Sequence, residues 1–177
     1  MDDRLEDFED VSLYTIDEAA REALLATQRE CAVVWSTREG WPVGVMHIYL
    51  WHEGRFWVTC TAKRKRVPAL RARPRSSVIV AFSGERTLTA RTLATVHETP
   101  SPHARWLYPA LARQVLAEQP DAVRREGVDG FVARLESDDR VIIELTPHKW
   151  ISFDGRKLKA HAAGTWKPGS PWQEPTP

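Results

Sequence analysis

Apolar and polar residues alternate with a period of two over several short stretches of this chain, and recur with a helical period over two longer ones. Phe56, Val58 and Cys60 alternate with Trp57, Thr59 and Thr61, the signature of a pleated strand. Similar runs separated by compact turns predict strands over residues 31–37, 42–51, 55–61, 77–82 and 87–97. The turns fall at Arg38-Glu39-Gly40, His52-Glu53-Gly54 and Ser83-Gly84-Glu85-Arg86. Ahead of them, Thr15-Ile16-Asp17-Glu18 reads as a capping box in which the Thr hydroxyl and the Glu carboxylate satisfy the first helical N–H groups. A helix is expected from there to about Gln28, with Ile16, Ala20, Ala23, Leu24 and Thr27 on one face.

After residue 97 the tempo changes. Ser101-Pro102 has the form of an N-cap followed by proline at the first helical position. A helix to about residue 117 then carries Trp106, Ala110, Leu111 and Val115, and a second helical piece spans 120–126. Gly130 interrupts before residues 131–135. Residues 140–146 form a sixth strand, and 150–153 are a candidate seventh. The chain divides into an acidic arm (1–14), a domain (15–154) and a Pro/Gly-rich tail (155–177). Sequential short strands joined by tight turns argue for an antiparallel barrel or sandwich rather than a doubly wound sheet. No strand–GxGxxG–helix unit or Walker loop supports a Rossmann or P-loop nucleotide site.

Composition narrows this further. At 177 residues and 42% hydrophobic content, the chain is one domain with a real core. Its acidic start shows no leader-like region and no 18-residue apolar run occurs, so a cytoplasmic protein without membrane contact is expected. Cys31 and Cys60 lie in apolar strand contexts without zinc spacing and read as buried thiols. The eight Trp are unusual for this length; Trp35, Trp41, Trp51 and Trp57 fall on or beside strands, where packing accounts for them.

The formal charge of +1 hides a local imbalance. Residues 63–75 hold seven Lys or Arg and no carboxylate, directly after the strand ending in Thr61. A strand that delivers hydroxyls and cations to the start of a short helix is a recipe for holding an anion. The field is local, which suits a small anionic ligand better than a long polyanion. No aromatic residue lies between Thr59 and Ala81 to stack bases, so a nucleic-acid partner is not expected.

The order of helix, strand, Gly40-Trp41-Pro42, strand, acidic-Gly turn, strand ending in Thr-x-Thr, paired cations at Lys65-Arg66, Leu70 and Pro74 resembles the pyridoxamine 5'-phosphate oxidase-like split barrels. The resemblance covers roughly residues 15–154. It implies a mainly β fold with α, a six-stranded antiparallel split barrel with flanking helices, working as a homodimer. It also implies an oxidoreductase with FMN or the deazaflavin coenzyme F-420 in a groove between subunits. By position, Val45, Met46, His47 and Ile48 would line the cofactor ring. Thr59, Cys60, Thr61, Lys63, Lys65 and Arg66 would hold its phosphate and ribityl chain, with Lys65 and Arg66 foremost, and Trp150 would approach the partner's cofactor.

The departures from that pattern also carry meaning. Oxidases of pyridoxamine phosphate place cations where Val45 and Leu50 stand here, which argues against that activity. Neutral residues there favour deazaflavin narrowly over FMN. Pro68 removes one N–H from the first helical turn. His47 reads as a satisfied, half-buried histidine, and no second His stands at metal-ligand spacing from it. No side chain stands out as an acid or base, and hydride transfer from a bound cofactor requires none. A non-catalytic flavin-, deazaflavin- or haem-binding protein of the same fold is the alternative.

Overall fold

The computed structural model describes residues 10–117 and 127–173. A 3-10 turn, Val11–Tyr14, leads into α1 (Glu18–Thr27) and then β1 (Glu30–Ser36), β2 (Pro42–Ile48), β3 (Leu50–His52) and β4 (Arg55–Thr61). The short helix α2 (Arg66–Ala72) precedes β5 (Arg75–Phe82) and β6 (Arg86–His97). Next come α3 (Ala104–Leu116), α4 (Gly127–Leu135), β7 (Arg140–Asp154) and α5 (Gly155–Ala162). The helical piece expected over 120–126 lies outside the described residues.

All strand pairs are antiparallel, in the order β2-β1-β5-β6-β7-β4-β3. The two edge strands, β2 and β3, are separated in the chain by Tyr49 alone. One bent strand therefore joins both edges and curls the sheet into a barrel; counted as a single element, it gives the six strands expected. The bend is fixed by the Tyr49 N–H, which donates to the Arg29 carbonyl at 2.9 Å, and by its hydroxyl, which donates to the Leu25 carbonyl at 3.0 Å. The β3–β4 hairpin turns through Glu53 and Gly54, both at positive φ (49° and 72°), the handedness that matches strand twist.

Three sequence expectations are corrected. Residues 140–146 and 150–153 are not two strands but one, β7, with a bulge opposite Arg91 and Thr92 that absorbs the Pro147-His148 irregularity. Gly130 does not interrupt α4. Residues 155–162 are a helix, because Asp154 caps them by accepting from the Arg156 N–H at 3.0 Å. The buried Lys157 ties that helix back by donating to the Thr15 carbonyl at 2.6 Å.

That tie also explains why the N-terminal cap moved. Residues 15 and 16 are pinned in extended form, with the Ile16 N–H donating to the Ser152 hydroxyl. Capping therefore falls to Asp17, which accepts from the Ala20 N–H at 2.9 Å. Leu25, rather than Ala23 or Thr27, is the buried residue of α1. Asp17→Ala should cost about 1 kcal/mol in urea denaturation, whereas Thr15→Ala should cost almost nothing.

Two cores result. One fills the barrel, with Val33, Phe56, Val58, Leu70, Val78, Leu88, Ile143 and Leu145 among its members. The other lies outside it, where Trp57 and Ile142 pack beneath Leu107, Tyr108 and Leu111 of α3. The helical excursion is thus clamped on the outer face of β4 and β7. Cys31 and Cys60 are free and buried, and burial pushes the Cys31 thiol up to about 12.

Candidate functional site

Where the end of β4, the start of α2 and β2 meet the α3–α4 pair, the structure leaves a cavity of about 420 Å³. Met46, His47 and Ile48 of β2 and Thr59, Cys60 and Thr61 of β4 line it, with Arg64, Arg66 and Arg140. Leu111 and Val115 of α3 and Phe131 and Leu135 of α4 close the opposite side. One end is therefore cationic and hydroxylic, the other apolar.

Seven of the eleven residues singled out from the sequence meet at this cavity. Val45 faces the barrel and packs on its core. Lys63 and Lys65 are exposed and do not line the cavity. Trp150 sits inside the barrel against Trp51 and Phe56, with the Arg21 guanidinium 4.7 Å from its ring centroid. Three groups of residues were not anticipated here. Arg64 stood in the basic run as one cation among several. Arg140 pairs with Thr61 across β4 and β7, almost eighty positions away in sequence, and no local pattern marks it. The four apolar helix residues looked like ordinary core.

Arg66 is held in place from two sides. Its Nε donates to Nε2 of His47 at 2.8 Å, and its guanidinium lies 5.8 Å from the Trp35 ring centroid. Burial, followed by the charges of Arg66 and Arg64, pulls His47 down to about 4. His47 is therefore neutral near pH 7, with its proton on Nδ1 and Nε2 free to accept. Because Nε of Arg66 is spent on His47, its terminal nitrogens remain for a ligand. Burial is the main cause that lowers Arg66 itself.

This arrangement has a pH consequence. Between pH 6.5, the ordinary His value, and about 4 the unfolded chain binds a proton at His47 that the folded chain refuses. Stability is complete above that window and is lost as pH falls through it. The melting temperature should therefore drop more steeply from pH 6.5 to 4 in the parent chain than in His47→Gln, as read by thermal denaturation in a pH series.

None of Arg64, Arg66 and Arg140 pairs with a carboxylate among the described residues. The Nε of Arg140 is buried without a hydrogen-bond partner there. An unsatisfied buried donor costs about 1–3 kcal/mol, so an anion seated among the three guanidinium groups would relieve a real deficit. Thr59 donates to the Val141 carbonyl at 2.9 Å. Burial pushes the Cys60 thiol up, against the pull of the nearby Arg66, Arg140 and Arg64 charges. Among the described residues no cluster of His, Cys, Asp and Glu could hold a metal ion, and no helix is long and apolar enough to cross a membrane.

The architecture recurs among solved structures. A conserved hypothetical protein from Mycobacterium tuberculosis superposes with a TM-score of 0.67, at 20% identity over 82% of this chain and 89% of its own. An F-420 reductase does so with a TM-score of 0.57, at 22% identity over 77% and 98%. The fold is the pyridoxamine 5'-phosphate oxidase-like split barrel. The same split barrel serves a haem-storage protein from Vibrio cholerae, with a TM-score of 0.53 at 15% identity over 77% and 94%. No protein-family model and no curated protein sequence matches the chain. Neighbours that share the split barrel thus include an F-420 reductase and a haem-storage protein, so the fold by itself does not fix a ligand.

Proposed function

We propose that this split barrel is an oxidoreductase that binds FMN or coenzyme F-420, with the cofactor phosphate at Arg64, Arg66, Arg140 and the Thr61 hydroxyl. The observation that carries this reading is the two-ended cavity: three guanidinium groups without carboxylate partners at one end, and Leu111, Val115, Phe131 and Leu135 at the other. A planar ring on a phosphorylated chain has that polarity. Guanidinium groups bind phosphate through paired, charge-assisted hydrogen bonds, while the apolar wall excludes water from the ring. When bound, such a cofactor supplies hydride transfer, and the protein contributes binding and orientation. Haem fits less well, because Nε2 of His47 is occupied by Arg66 and is not offered as an axial ligand.

A second copy of the chain belongs in the same reading. Met46, Ala32, Ile79, Thr89 and Ile151 stand opposite one another across five adjacent strands, from β2 to β7. Met46, Ile79 and Ile151 are 63%, 39% and 57% exposed. This apolar row ends at Met46, which also lines the cavity. A partner seated on the row would therefore reach the ligand, which supports a cofactor held between subunits.

Side-by-side titration with FMN, F-420 and haem, followed by turnover of the reduced cofactor with a quinone acceptor, tests the function. Tight binding of a flavin or deazaflavin with turnover supports it; binding without turnover would make the chain a carrier, and preference for haem would overturn it. Sedimentation of Ile79→Glu, which leaves the cavity intact, tests the dimer: a monomer is expected from the variant and a dimer from the parent.

A further inference from the structure

On the outer face of the barrel, away from the α3–α4 cavity, Arg75, Ser76, Arg91, Thr92, His148 and Lys149 line a second cleft of about 260 Å³. The register explains why they meet. Arg91 of β6 lies opposite Ser77 of β5 on one side and Lys149 of β7 on the other, and Arg75 is the next outward residue along β5. The bulge between Arg91 and Thr92 brings His148 to the rim. At the base, the Ser76 and Thr92 hydroxyls are bonded to each other at 2.7 Å. Every charged group in this lining is basic.

Several cations elsewhere have acidic partners. Arg71 pairs with Glu98, Arg55 with Glu144, Lys159 with Glu85 and Arg156 with Asp154. Arg75, Arg91 and Lys149 make no ion pair or side-chain hydrogen bond among the described residues. Arg91 and Lys149 are moreover direct cross-strand neighbours, and like charges in that relation destabilise a sheet. The repulsion disappears if an anion sits between them.

We infer that this cleft is a second anion-binding site, which takes a compact, multiply charged group of the phosphate or diphosphate kind. Three cations at the rim would neutralise the charge, and the paired hydroxyls at the base can turn to donate to it. The group could arrive as the free inorganic ion or on a larger phosphorylated molecule; both present the same oxygens. The site does not depend on the identity of the ligand in the α3–α4 cavity.

Titration of the full chain with inorganic pyrophosphate, and separately with adenosine diphosphate, followed by amide NMR, tests the inference. Pyrophosphate should shift the resonances of Ser76, Arg91, Thr92 and Lys149. In the Arg91→Gln/Lys149→Gln double variant the affinity at these residues should fall at least ~10-fold, as loss of charge-assisted bonds implies. Arg66→Ala should leave it unchanged, which separates this site from the cavity. The double variant should also melt higher than the parent in anion-free buffer, since the like-charge contact is gone. Stronger binding of adenosine diphosphate than pyrophosphate would identify a carried phosphoryl group, and the reverse a free ion. Absence of shifts at millimolar pyrophosphate, or equal affinity in parent and double variant, would overturn the proposal; the single variant Arg91→Gln serves if the double variant does not fold.

Discussion

Replacing Arg66 with alanine should weaken binding of a phosphate-bearing cofactor by about 100-fold in calorimetric titration. A hydrogen bond to a charged group contributes about 1.5–3 kcal/mol, equivalent to roughly 10- to 150-fold. Arg66 belongs at the upper end for two reasons. Its guanidinium is already oriented by His47 and Trp35, so little rotamer freedom is lost when an anion binds. Its removal also leaves the half-buried Nε2 of His47 without its donor. Arg66→Lys should be intermediate, keeping the charge but losing both the bond to His47 and the bidentate fork. Lys63→Ala and Lys65→Ala, at exposed positions outside the cavity, should stay within about threefold of the parent, a screened surface-charge effect. Unchanged affinity in Arg66→Ala would mean that the anion binds elsewhere.

Trp57→Ala should cost about 3–5 kcal/mol in chemical denaturation, the range for truncating a buried Trp. The side chain is 2% exposed and points out of the barrel into the second core. Its indole N–H donates to the His52 carbonyl at 3.2 Å. Its ring meets Trp106 edge-on at 5.0 Å, with His103 at 4.8 Å. Trp57 is thus the peg on which α3 is hung, and α3 and α4 supply the apolar wall of the cavity. The variant should lose ligand affinity along with stability, although no atom of Trp57 lines the cavity. A loss below about 1 kcal/mol would show that Leu107, Tyr108, Leu111 and Ile142 hold the helices without it. The ion-paired Glu144 beside this cluster, bonded to His97 at 2.9 Å and Arg55 at 3.1 Å, should be less sensitive. Its partners are partly exposed, and such pairs contribute little.

Much of the barrel was legible because its signals are local. Period-two alternation at Phe56–Thr61 and the Glu53-Gly54 turn depend only on neighbouring residues, and both appear where expected. The basic run after Thr61 likewise marked one end of the cavity, since strand end, turn and helix start are adjacent in the chain. Errors arose where a distant contact outweighed local propensity. Thr15 lost its capping role because Lys157 and Ser152 hold its neighbourhood extended. The segment after Asp154 looked like a tail by its later glycines and prolines, yet most of residues 156–162 are helix formers that a buried cap and lysine secure.

The choice among the cations shows the division most clearly. Composition placed seven basic residues in residues 63–75, and the family resemblance put Lys65 and Arg66 foremost. Yet Lys65 lies exposed outside the cavity, because rank depends on which side chain the fold desolvates and orients. The fold selected Arg66 by setting His47 beside it, and added Arg140 by pairing β7 with β4. The sequence by itself determined an antiparallel barrel or sandwich and the local positive charge at the end of β4, both consequences of short-range pattern. Only the tertiary structure decided that this charge opens on an apolar helical wall, and that Arg75, Arg91 and Lys149 share a cleft. Those groupings are made by strand register and helix docking, which bring together residues too far apart in the chain to signal to one another.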